Sequence, residues 1–170
     1  MNFKEKIRVI PDFPEKGVRF KDITTLLKDG DAFKKAIDTL ANFYKDQNID
    51  LVVGPEARGF AVGAPVAYVL GAGFIPIRKP AKLPYETISF SYNLEYGKDS
   101  LEIHKDAVTQ GQRVLIVDDL LATGGTTKAA IKLIEELGGK VIGLAFLIEL
   151  SYLNGRKGLT EYDIKSLVTY

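Results

Sequence analysis

The sequence predicts an α/β fold: a doubly wound, mainly parallel sheet with a lid hairpin and an N-terminal cap. Three observations predict it. Val114, Leu115, Ile116 and Val117 form an apolar run without alternation, the pattern of a strand buried on both faces of a parallel sheet. A glycine-rich turn and then a helical periodicity follow that run directly. The same strand-then-helix rhythm recurs on both sides of it.

Each element has its own signal. Asp31–Tyr44 reads as an amphipathic helix with Phe33, Ala36, Ile37, Leu40 and Tyr44 on one face. Ile49–Val53 reads as a buried strand. Gly59–Ile77 carries no charge for 19 residues, close to the length of a membrane span. Gly63, Pro65, Gly71, Gly73 and Pro76 interrupt it, so it reads instead as a helix, Phe60–Leu70, and a strand, Phe74–Ile77. Between Arg78 and Ala107 the rhythm breaks. Pro80 and Pro84 open a loop, and Thr87–Tyr92 and Leu101–His104 then alternate like hairpin strands around Gly97. A long, proline-bearing insertion beside a sheet reads as a lid, residues 78–107. After Val114–Val117 a helix begins near Thr127, with Ala130, Ile131, Leu133, Ile134 and Leu137 near one face, and Gly138 and Gly139 stop it. Val141–Ile148 is the last expected strand. Residues 1–30 form the expected cap, and residues 1–170 the single expected domain.

Composition narrows the class. The chain has 170 residues, 46% of them hydrophobic, enough for one core. Its 23 basic and 22 acidic residues leave a net charge of +1, with no nucleic-acid footprint. There is no cysteine, which excludes disulfides, thiolate catalysis and cysteine-zinc sites. The start, MNFKEKIRV, has no apolar core of a signal peptide. A cytoplasmic location is expected, with neither membrane nor nucleic acid as partner.

The turn after Val117 carries the chemistry. Ala122, Thr123, Gly124, Gly125 and Thr126 make a small turn rich in glycine and hydroxyls at the carboxyl end of a parallel strand, where open α/β sheets bind ligands. Gly124 and Gly125 permit positive φ and close backbone approach. The free N–H groups of the following helix favour an anion. Asp118 and Asp119 would repel that anion; they suit a sugar diol or a metal ion. A phosphate site touching a diol site describes a ribose 5-phosphate. The P-loop string is absent, and Gly71-Ala72-Gly73 lacks the third glycine of a dinucleotide fingerprint. Gly54-Pro55-Glu56-Ala57-Arg58-Gly59-Phe60, a second strand running into a glycine-flanked turn with one arginine, suits a further anion site.

The string VLIVDDLLATGGT resembles the phosphoribosyl-pyrophosphate (PRPP) motif of the type I phosphoribosyltransferases. The resemblance implies that Asp118 and Asp119 accept hydrogen bonds from the ribose 2- and 3-hydroxyls, and that Ala122–Thr126 hold the 5-phosphate. The Gly54–Phe60 string is similar to the pyrophosphate loop of the same family. That likeness implies a non-proline cis peptide between Glu56 and Ala57, with N–H groups turned to the diphosphate, and Arg58 paired with it. Two further strings, Phe13–Thr24 and Tyr92–Ala107, resemble adenine-specific members, and the likeness covers nearly the whole chain. It implies that Phe20 stacks on adenine, with the Arg19 backbone and the Lys21 side chain at the base edge. Many members carry arginine where Lys21 stands. It further implies that Arg78 and Lys79 reach the donor's phosphates, Arg78 from a partner subunit, and that Glu95 is the lid carboxylate serving catalysis. Mg²⁺ is expected to arrive with PRPP rather than in a resident metal site, and the chain is expected to be a homodimer. His104, the single histidine, reads as a solvated surface residue, and no serine elbow stands near it for a hydrolase triad. Two alternatives to transfer onto adenine are a PRPP-binding regulator and transfer onto another base.

Overall fold

The computed structural model describes residues 1–94 and 97–170. In chain order the elements are β1 (Arg8–Pro11), β2 (Arg19–Asp22), α1 (Thr24–Leu27), α2 (Gly30–Asn42), β3 (Leu51–Pro55), α3 (Arg58–Leu70), β4 (Gly73–Ile77), β5 (Thr87–Leu94), β6 (Gly97–His104), β7 (Arg113–Leu121), α4 (Gly125–Glu136), β8 (Lys140–Glu149) and β9 (Asp163–Thr169). The central sheet is parallel throughout, in the order β4-β3-β7-β8-β9. Two antiparallel hairpins, β1–β2 and β5–β6, stand outside it.

The apolar runs follow from burial on both faces. Val52, Leu115, Val117, Ala145 and Leu147 point to one side, where α2 and α3 cover them. Val53, Val114, Ile116, Leu144 and Phe146 point to the other, against α4 and the β5–β6 hairpin. Successive side chains alternate between the faces, and both faces are dry, so no polar position is needed. Each fully buried aliphatic side chain stabilises the fold by roughly 1.5–3 kcal/mol.

The expected helices and sheet strands form, with shifted ends. Helix α2 starts at Gly30, because Asp29 caps it: its carboxylate accepts from the Ala32 N–H at 3.1 Å and from Lys6 Nζ at 2.7 Å. The β7 strand does not stop at Val117. It runs through both aspartates to Leu121, pairing Asp118 with Phe146 and Leu121 with Glu149 of β8. The hairpin strands are also longer than expected, continued by polar cross-strand pairs such as Ser91–Ser100, whose hydroxyls lie 2.6 Å apart. Two features were not expected at all, the β1–β2 hairpin and the edge strand β9. No helix among the described residues is long and apolar enough to cross a membrane.

Candidate active site

Strand order places the site. From β3 the chain crosses through α3 on one face to β4; from β7 it crosses through α4 on the opposite face to β8. The connections therefore diverge between β3 and β7, and a crevice opens outside their carboxyl ends. The Glu56–Arg58 loop leaves β3 there, and the Ala122–Gly124 loop leaves β7 beside it.

One arginine joins the two loops. Arg58 Nε donates to Asp119 Oδ2 at 2.5 Å, and Asp119 is 6% exposed. The Arg58 guanidinium also lies 5.7 Å from the centre of the Phe20 ring, over the N-terminal hairpin. Burial works against the charge on Arg58, but the hydrogen bond and charge of Asp119, with Asp118 behind it, outweigh burial and raise its pKa. Asp118 Oδ1 accepts from the Asp119 N–H at 2.8 Å. Burial first, and the charge of Asp119 second, push the Asp118 carboxyl well above the usual carboxylate range. The pair thus holds an acceptor-rich edge, with Arg58 fixing one carboxylate.

Gly59, second in α3, sets the spacing of this cluster. A Cβ there would stand 2.8 Å from Asp118 Oδ1 and 2.9 Å from Pro55 Cδ. Only a glycine lets the helix start against the aspartate. At the other loop Gly124 caps α4 with φ +88°, and a Cβ there would stand 2.9 Å from the Gly155 carbonyl oxygen. Gly125 is already the first residue of α4 and is not left-handed, so the expected positive φ falls on Gly124 alone. Helix α4 accordingly starts two residues before Thr127, with its first N–H groups facing the crevice end of the loop.

A second group of residues converges from the lid side. The Glu56–Ala57 peptide is cis, as the family resemblance implied. The Glu56 carboxylate turns away from the loop and accepts from the Lys79 N–H at 2.7 Å and from Arg78 Nε at 3.3 Å. It anchors the segment that carries both cations. Lys79 Nζ pairs with Asp99 of β6, which holds the Asp99 carboxyl below its ordinary range. Asp99 also accepts from the Tyr92 hydroxyl at 3.3 Å, and that hydroxyl lies 3.4 Å from Thr126 Oγ1. Glu56, Lys79, Tyr92, Asp99, Thr123 and Thr126 line a cavity of about 470 Å³.

Tyr92 and Asp99 carry no motif that points to them. Their signal was the alternation of the hairpin: Asp99 shares a face of β6 with Leu101 and Ile103, 2% and 0% exposed. An acid on the apolar face of a strand must meet a partner there. Glu95 lies outside the described residues. His104 is half-buried rather than solvated; its Nε2 accepts from the Tyr85 N–H at 3.3 Å and its ring meets the Tyr85 edge.

A separate hollow of about 790 Å³ is lined among others by Arg19, Phe20, Lys21, Leu120, Leu150 and Tyr170. Phe20 is half-buried, with Phe13 edge-on at 5.3 Å. Lys21 Nζ lies 4.4 Å from the centre of the Tyr170 ring. Burial, then the charges of Arg19 and Lys4, lower the Lys21 pKa. Among the described residues no group of three or more His, Cys, Asp or Glu side chains is placed to hold a metal ion.

Fold and crevice define a phosphoribosyl transferase domain, and the family of that description matches residues 24–168. The residues before it are covered by full-length relatives. The chain is 66% identical over 170 residues to the adenine phosphoribosyltransferase of Alkaliphilus metalliredigens, covering 100% of both chains. It is 61% identical to the solved adenine phosphoribosyltransferase of Thermoanaerobacter pseudethanolicus, with a TM-score of 0.95 over 98% of this chain and 97% of that one. The Saccharomyces cerevisiae adenine phosphoribosyltransferase, solved with an imino-altritol bisphosphate and adenine, is 39% identical, with a TM-score of 0.91 over 96% and 95% of the two chains. The chain belongs to the adenine phosphoribosyltransferase family.

Proposed function

We propose that this enzyme transfers the 5-phosphoribosyl group of PRPP to N9 of adenine, giving AMP and pyrophosphate. The C1–O bond to the diphosphate breaks, the N9–C1 bond forms, and the N9 proton is given up. The observation that carries the reading is the position of Arg58. It touches Asp119, the diol acceptor, and Phe20, the base platform, while standing at the head of the diphosphate loop. The reacting carbon, its leaving group and its nucleophile meet around that arginine.

The residues then divide the work. Asp118 and Asp119 accept from the ribose hydroxyls, and Ala122, Thr123, Gly124, Gly125 and Thr126 hold the 5-phosphate on the start of α4. The Glu56–Ala57 backbone and Arg58 face the diphosphate, with Lys79 from the lid segment and Arg78 reaching in from a partner subunit. Arg19, Phe20 and Lys21 hold the base. Positioning and charge stabilisation are the main contributions, because the transition state is a cationic sugar parting from an anion. Glu95 is the carboxylate that serves that cation. A Mg²⁺ ion carried on the donor's diphosphate would supply charge neutralisation of the leaving group. Residues 1–30 cap the base side and residues 78–107 form the lid of one domain. The enzyme acts in the cytoplasm as a homodimer.

The test is a panel of bases. With PRPP and Mg²⁺, adenine should be converted to its nucleotide and should outpace hypoxanthine, guanine, xanthine and orotate at equal concentration. Faster conversion of any of the others overturns the assignment.

A further inference from the structure

Asp99 poses an electrostatic problem. It lines the same cavity as Lys79, Thr123 and Thr126, the groups read above as holding donor phosphates. A carboxylate in that place repels a bound diphosphate. Nothing in the hairpin's packing asks for a charge: its neighbours on the inner face of β6 are Leu101 and Ile103, and Tyr92 opposite it needs only a neutral acceptor. The other acid in the cavity, Glu56, is accounted for, since it anchors the Lys79 N–H and Arg78. Asp99 Oδ1 accepts from the adjacent Ser100 N–H at 2.9 Å, a bond that a neutral acceptor would also make, and it accepts from no main-chain group of the Arg78–Lys79 segment. Its partner there is the Lys79 ammonium itself.

The surroundings say what the pair does. Through the Tyr92 hydroxyl, Asp99 is one step from Thr126 Oγ1, and the Tyr92 ring lies over Gly125, 3.3 Å from where a Cβ would stand. Lys79, Asp99, Tyr92 and Thr126 therefore form one connected path from the lid segment to the phosphate cradle. Both ends of that path are donor-phosphate ligands in the reading above. The Lys79 and Asp99 side chains are 43% and 26% exposed, so the ion pair is held in partial contact with water and is cheap to exchange.

We propose that Asp99 is a positioning residue that stands in for the donor's diphosphate. It holds the Lys79 ammonium until the donor binds, keeps that side chain aimed into the cavity, and yields it when the diphosphate arrives. Donor binding is then an exchange of anions on one lysine, and Asp99 sets the donor's affinity. The proposal rests on the reading of Lys79 as a donor ligand.

The experiment is calorimetric titration of the full chain with inorganic pyrophosphate and Mg²⁺, for the wild type, Asp99→Asn, Lys79→Ala and the double variant. Asp99→Asn should bind pyrophosphate about fivefold more tightly, the scale of a partly exposed ion pair. In the Lys79→Ala background the same change should gain less than about twofold. In steady state, Asp99→Asn should lower the KM for PRPP and leave that for adenine unchanged. Asp99→Ser repeats the test should Asn disturb the hairpin. Unchanged or weaker pyrophosphate binding by both Asp99 variants overturns the proposal. An equal gain in both backgrounds overturns it too, leaving plain repulsion without exchange. If Lys79→Ala alone binds pyrophosphate as the wild type does, the underlying reading of Lys79 fails, and that result is separate from the other two.

Discussion

Replacing Gly59 by alanine sets two effects of similar size against each other and separates fold from function. Alanine is the better helix former, by up to about 1 kcal/mol in a helix interior and less in a first turn. Against that, the new Cβ would stand 2.8 Å from Asp118 Oδ1 and 2.9 Å from Pro55 Cδ, where ordinary contact begins at 3.4 Å. Something must move by about 0.6 Å. Pro55 is a ring on a fully buried strand, so the aspartate yields. Overpacking of this kind costs roughly 1–3 kcal/mol, so the net loss of stability should be between about 0 and 3 kcal/mol and the variant should fold. The displaced atom is the one that accepts from the Asp119 N–H at 2.8 Å, so the carboxylate loses its orientation. A charge-assisted hydrogen bond to a ribose hydroxyl is worth about 1.5–3 kcal/mol, so AMP should bind at least about tenfold more weakly. Urea denaturation measures the first quantity and calorimetry with AMP the second. A folded Gly59→Ala protein with wild-type AMP affinity would refute both the assignment of Asp118 to the diol and the role of Gly59 in placing it.

Three further outcomes are expected. Gly124→Ala should cost about 1–2 kcal/mol by urea denaturation through its left-handed φ alone, and more through the Gly155 carbonyl, so any loss of AMP binding comes from a displaced loop and not from a methyl group against phosphate. Asp118→Asn should stabilise the fold at pH 7 while weakening AMP binding even without Mg²⁺. The folded carboxyl titrates above its ordinary 3.8, so the folded state loses stability as pH rises from that value through the raised pKa; the gain from Asn should therefore be larger at pH 7 than at pH 4, and an equal gain at both refutes the cause. Glu95→Gln should lower the single-turnover rate far more than it raises the KM of either substrate, and a wild-type single-turnover rate would remove Glu95 from the chemistry.

What could be read from the residues alone was what depends on neighbours in the chain. The Asp118–Asp119 pair, the Ala122–Thr126 turn and the start of the helix behind it occupy one unbroken string, Val114–Thr126, and each part constrains the next through strand, turn and helix geometry. The inner strands were legible because they are dry on both faces, and the short apolar runs this produces are bounded by turn residues. The aspartates hid the end of β7, because charges normally close a strand; here the backbone pairing with β8 continues beneath them.

The tertiary structure decided whatever depends on contacts between distant segments. Strand β9 sits at the sheet edge, with only Ile164 and Val168 buried and Lys165 and Ser166 between them, so its sequence has neither a continuous apolar run nor clean alternation. The β1–β2 hairpin is four residues a side and none of them is fully buried; pairing across a seven-residue connection holds it, not an apolar pattern. Arg58 meets Asp119 across 61 positions of sequence, and only the adjacency of β3 and β7 brings them to 2.5 Å. In sequence Asp99 is one acid among several in the hairpin; the alternation of β6 and the packing of that hairpin set its carboxylate onto Lys79. A side chain's type is written in the chain, but the field it experiences is the sum over everything packed around it, and that sum exists only once the sheet has set its strand order.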